Sequence, residues 1–139
     1  EKSSLEEKVT RAARLDVKSL SVETLTDRNK KTDKVNKTTT IKINFTIAKN
    51  VTAAPGNKHV YARIMTPDNG VLARSQGDVF PFENRQIQFS CKKTIEYQGE
   101  DLSDVLYWKV NELLFPGSYR VDLFADGNLI GQASFRLAK

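Results

Sequence analysis

The chain has 139 residues, 39% of them hydrophobic and 28% charged, enough for one domain that buries roughly two thirds of its unfolded surface. No apolar run approaches the ~20 residues that a membrane-spanning helix needs. The single cysteine, Cys91, excludes an internal disulfide and a four-cysteine zinc site. The net charge of +5 is uneven, because Arg28, Lys30, Lys31, Lys34 and Lys37 crowd one polar stretch in which Asp33 is the only acid.

In chain order, residues 1–14 read as a short helix. Ser3 and Ser4 suit a cap, and Leu5, Val9, Ala12 and Ala13 form a thin apolar stripe at helical spacing. A helix this short is unstable alone in water, so it docks, pairs with another chain or ends a longer upstream helix. From Leu15 the period becomes two, and residues 15–139 read as one β domain. Leu15, Val17, Leu20 and Val22 mark a first strand with an irregularity near Lys18-Ser19. Residues 26–39 form a long polar loop.

Thr40 to Ile47 is the clearest strand, with Ile41, Ile43, Phe45 and Ile47 facing one way. Val60 to Met65 follows, then a Pro67-Asp68-Asn69-Gly70 turn into Val71-Leu72-Ala73, which together predict a hairpin. Residues 75–86 look irregular. Ile87 to Tyr97 reads as one long strand bulged at Lys93. Val105–Val110, Tyr119–Ala125 and Leu129–Leu137 complete the set, with a hairpin turn at Asp126-Gly127-Asn128. The pattern predicts an all-β protein: an antiparallel, immunoglobulin-like β-sandwich of seven or eight strands behind a short N-terminal helix.

No catalytic constellation stands out. There is no phosphate-binding glycine loop and no nucleophile elbow. Cys91 reads as a small buried hydrophobe, and the one histidine, His59, lies in what reads as a loop entering a strand, which disfavours a Cys–His catalytic pair. The acidic group Glu96, Glu100, Asp101 and Asp104 lacks metal-loop spacing and reads as a solvated turn, so no metal or cofactor is assigned. The basic stretch holds no aromatic residue for base stacking, which disfavours nucleic acid as a partner. The candidate ligand-binding residues are outward aromatics and their neighbouring cations. If Val60, Ala62 and Ile64 face the core, Tyr61 and Arg63 face solvent. If Leu106 and Trp108 face the core, Tyr107 and Lys109 face solvent. The rival phase makes Trp108 the exposed platform for a sugar.

Leu114-Phe115-Pro116-Gly117-Ser118-Tyr119-Arg120-Val121 resembles the late strand entry of immunoglobulin-like and fibronectin type III-like sandwiches. In those domains a Pro-Gly turn precedes a Tyr-x-Val strand, and the resemblance implies that the Tyr119 hydroxyl ties down the corner. The immunoglobulin cysteine pair is absent. Residues 61–72, 93–100 and 116–131 are similar to the C-terminal domain of a Bacteroidetes protein group in which a coiled coil precedes a β-sandwich. The resemblance spans about residues 10–139 and implies that residues 1–14 end a coiled coil. It brings no catalytic residues.

The function expected is therefore a non-enzymatic structural or protein-interaction module at the end of a coiled-coil protein. Its partner is a protein, or a second copy through the N-terminal helix, and its location leans to the cell envelope or periplasm. The alternative is a carbohydrate-binding or adhesion module.

Overall fold

The structure is a computed structural model that describes residues 15–50, 55–73, 77–110, 114–125 and 127–139. The expected helix over residues 1–14 lies outside the described residues. Nine strands follow in order: β1 Val17–Leu25, β2 Thr40–Ile47, β3 Gly56–Met65, β4 Val79–Phe82, β5 Arg85–Gln88, β6 Cys91–Tyr97, β7 Leu102–Lys109, β8 Gly117–Ala125 and β9 Asn128–Leu137. They form three antiparallel sheets, ordered β1-β2-β7, β6-β3-β8-β9 and β4-β5. The described residues contain no helix.

The two larger sheets share one core. The alternation in β2 puts Ile41, Ile43 and Ile47 at 0% exposure, against Val60, Ala62 and Ile64 of β3 and Val121 and Leu123 of β8. Trp108 belongs to this core at 1% exposure, so its phase is inward and the reading of it as an exposed platform is overturned. Burying these side chains stabilises the fold by roughly 1.5–3 kcal/mol each before entropy is counted.

The corner before β8 is tied as the resemblance implies. The Tyr119 hydroxyl donates to the Phe115 carbonyl at 2.7 Å and accepts the Phe115 N–H at 3.0 Å. Gly117 sits there at φ 140°, where a Cβ would meet Pro67 Cγ at 2.8 Å. No other residue type fits both the backbone and the space.

Four expectations need correction. The stretch 75–86, expected to be irregular, holds β4 and the first half of β5, a hairpin turned at Glu83 and Asn84 with φ of 49° and 66°. A two-residue turn with both φ positive matches strand twist, but the usual glycine signal is missing. The long strand from Ile87 is two strands, and the break falls at Phe89-Ser90 instead of Lys93, where the chain passes from the small hairpin to the edge of β3. Ser90 makes that passage possible: its N–H bonds the Ala62 carbonyl at 2.7 Å, and its hydroxyl accepts the Ile64 N–H at 2.8 Å and donates to the Leu72 carbonyl. Val71-Leu72-Ala73 is not a full strand and makes one bridge, Met65 to Val71. The count is consequently nine strands among the described residues, not seven or eight. The irregularity in β1 lies where the sequence placed it, between Val17 and Ser19.

Candidate functional site

The four candidate residues occupy two different surfaces. Tyr61 and Arg63 lie on the outer face of the four-stranded sheet, Tyr107 and Lys109 on that of the three-stranded sheet. β3 and β7 are in separate sheets, so the chain does not assemble one Tyr61–Tyr107 site.

The first face is covered. The β4–β5 hairpin lies on it and builds a second apolar cluster, in which Phe80, Ile87 and Phe124 are buried and Tyr61, Phe82, Phe89 and Leu129 pack around them. The Tyr61 ring stacks on Phe80 with centroids 4.3 Å apart and planes 8° from parallel, and Lys92 Nζ sits over the ring at 5.7 Å. The ring is thus engaged within the chain, where the sequence reading had it facing solvent. Arg63 donates through Nε to the Gln88 carbonyl at 2.8 Å. Burial lowers the Arg63 pKa from its ordinary value, and the Asp122 charge opposes that shift.

Asp122, 4% exposed, accepts Arg120 Nε at 3.0 Å, Arg120 Nη2 at 3.2 Å and Gln132 Nε2 at 3.1 Å. A carboxylate this buried is tolerated because both its oxygens are bonded and a cation lies against it. Beside the hairpin remains a small cleft of about 220 Å³ whose walls include His59, Tyr61, Phe80 and Phe124. His59 points to the opposite side of β3 from Ala62, the register partner of Cys91, and its Nδ1 bonds Thr94 Oγ1 at 2.8 Å. Cys91 is buried and its thiol donates to the Tyr107 carbonyl at 3.2 Å. The fold therefore keeps the cysteine and the histidine on opposite faces.

The second face is open: no strand among the described residues lies over β1-β2-β7. Tyr107 is 58% exposed, paired in register with Lys42 and two residues from exposed Lys109. Polar pairs continue along the same face of the sheet. Asn44 Nδ2 donates to Glu23 Oε1 at 2.9 Å, and Thr46 and Ser103 share a hydrogen bond at 2.8 Å. The Asn44 bond, helped by Lys31 and Lys42, holds the Glu23 carboxyl below its usual pKa. The surface offers an exposed amphipathic ring whose cross-strand partner and second neighbour along the strand are lysines.

Three of the four acids at the acidic turn are paired with lysines of the chain. Asp101 pairs with Lys18 at 2.8 Å and accepts the Lys49 N–H at 2.7 Å, Glu100 lies 3.8 Å from Lys49, and Asp104 pairs with Lys93 at 2.5 Å. Among the described residues no three His, Cys, Asp or Glu side chains converge as metal ligands. The sequence reading missed the covering hairpin, although the alternation Val79-Phe80-Pro81-Phe82 carried a short strand signal.

Residues 18–138 match the family described as Domain of unknown function (DUF8428), so the chain belongs to that family. No curated protein matches it. Among solved structures it is similar to the Pseudomonas fluorescens alkylpurine DNA glycosylase AlkC bound to DNA containing an abasic site analog, with 15% identity and a TM-score of 0.51 over 91% of this chain and 31% of that one. It is also similar to the β-glucosidase of Kluyveromyces marxianus, with 12% identity and a TM-score of 0.51 over 91% of this chain and 14% of that one. The same enzyme in complex with glucose gives 13% and 0.52. At these identities the likeness is one of fold, and this chain spans less than a third of each larger chain.

Proposed function

We propose that this DUF8428 member is a non-enzymatic interaction module, built as an immunoglobulin-like sandwich and carried at the end of a coiled-coil protein. The observation that carries the reading is one of proportion: 91% of this chain corresponds to at most 31% of larger chains, so the fold serves there as one unit among others. The strand order β1-β2-β7 against β6-β3-β8-β9 and the Tyr119 corner support the immunoglobulin-like assignment.

The partner is a protein that docks on the open face around Tyr107. An exposed aromatic ring flanked by cations is the kind of anchor that protein interfaces concentrate on. A photo-crosslinking residue placed at position 107 of the full-length protein, in its own cells, is expected to yield a discrete protein adduct. The same residue at position 61, beneath the hairpin, is expected to yield none. Equal labelling at both positions, or none at either, would remove the docking face.

A carbohydrate-binding role is the second reading, favoured by the exposure of the Tyr107 ring beside Lys109. It requires a saturable change in intrinsic fluorescence with some polysaccharide, and a flat response across a broad panel rules it out.

A further inference from the structure

The basic stretch disfavoured as a binding element is a folded structure. Its backbone is held at both ends: the Thr39 N–H bonds the Leu25 carbonyl at 2.8 Å, the Val35 N–H bonds the Ala138 carbonyl at 2.8 Å, and the Ala138 N–H bonds the Asp33 carbonyl at 2.6 Å. Val35 packs on the main core, and buried Thr38 donates to the Lys34 carbonyl at 2.8 Å. Fourteen residues that read as a long polar loop are pinned to β1 and to Ala138 beyond β9.

The pinned loop encloses a groove of about 640 Å³ whose walls include Arg28, Lys30, Lys31 and Lys37, with one carboxylate, that of Asp27. Lys31 reaches Glu23 at 3.6 Å; among the described residues Arg28, Lys30 and Lys37 lie within ion-pair reach of no carboxylate. Two threonine hydroxyls in the same walls are fixed as acceptors. Thr26 Oγ1 takes the Arg28 and Lys30 N–H groups at 3.2 and 3.3 Å, and Thr32 Oγ1 takes the Lys34 N–H at 3.1 Å. With its lone pairs so used, the Thr26 hydroxyl has its own proton to give. The groove is rich in donors and poor in acceptors, which is the chemistry that receives an oxyanion.

We propose that this groove binds the phosphate backbone of a nucleic acid, without reading its bases. Lysine, arginine and threonine are the usual phosphate contacts, and no aromatic residue lines the walls to stack on a base. The proposal is independent of the Tyr107 docking face.

Fluorescence anisotropy of a labelled mixed-sequence DNA duplex with the 139-residue chain tests it. Four phosphate contacts predict a roughly hundredfold loss of affinity between ~50 and ~200 mM salt. Replacing Arg28, Lys30, Lys31 and Lys37 by Gln is expected to weaken binding at least about tenfold and flatten the salt slope by about one per residue removed, with an unchanged thermal midpoint showing that the fold is intact. A charge-matched variant with Lys49, Lys58, Lys92 and Lys93 replaced by Gln should keep wild-type affinity. Equal loss in both variants would mean diffuse charge and overturn the proposal. So would loop-dependent binding of labelled polyglutamate in place of DNA, which would assign the groove to protein carboxylates.

Discussion

Two strands of this protein carry the same local pattern of tyrosine, core residue and cation: Tyr61-Ala62-Arg63 on β3 and Tyr107-Trp108-Lys109 on β7. In both, the middle residue points into the shared core. The outer residues meet opposite fates. On β3 the tyrosine is stacked under Phe80 and the arginine is bonded to Gln88. On β7 the tyrosine stands 58% exposed on an open sheet. A strand's own sequence says which residues share a face, and a distant segment decides whether that face meets water.

The comparison can be broken most sharply at the hairpin. Phe80→Ala removes the stacking partner of Tyr61 and opens a cavity beside Phe124, so chemical denaturation should show a loss of about 3–5 kcal/mol. Near-wild-type stability would mean that the hairpin only rests on the sheet. Tyr119→Phe removes both bonds at the Phe115 corner while keeping the ring stacked on Phe135, and is expected to lose about 1–3 kcal/mol in the same assay. Tyr107→Ala, on the open face, should change stability by less than ~0.5 kcal/mol while abolishing partner binding. A large loss of stability there would reveal a covering segment and remove the contrast between the faces.

The smallest effect concerns the exposed Lys18–Asp101 pair. The hydrogen bond from Lys18, then that from the Lys49 N–H, lowers the Asp101 pKa; the bond to Asp101 raises that of Lys18. Asp101 therefore contributes stability above its unfolded pKa near ~3.9, and that contribution is lost as pH falls through its lower folded value. Lys18 contributes below its unfolded pKa near ~10.4, and loses that contribution as pH rises through its higher folded value. The thermal midpoint of Asp101→Asn should fall slightly below wild type at neutral pH and converge with it in strong acid. A gap that stays constant into acid would place the effect elsewhere.

Much of the β domain was readable from periodicity. The alternation of β2 announced its buried face, and the kink near Lys18-Ser19 was visible as a broken phase. The structural role of Tyr119 came from the resemblance of its Pro-Gly-Ser-Tyr entry to immunoglobulin-like sandwiches, not from periodicity, and the bonds to Phe115 agree with it. The β4–β5 hairpin was hidden because its strands have four residues each, include Pro81 and turn without glycine. The division at Phe89-Ser90 was hidden because apolar alternation continues across it while the chain changes sheets.

Alternation placed all four candidate residues facing solvent; Tyr107 and Lys109 are exposed, whereas Tyr61 stacks on Phe80 and Arg63 bonds Gln88 beneath the hairpin, and this sorting into two surfaces was not in the sequence. The groove of residues 26–39 was unreadable for a similar reason: charge along a chain is local, whereas a wall needs Ala138 to return and hold Val35. Which side of each strand is apolar could be read from the chain alone, since that depends only on alternation within a few residues. The tertiary structure decided which faces are covered and which charges converge, because those depend on contacts between segments far apart in the chain.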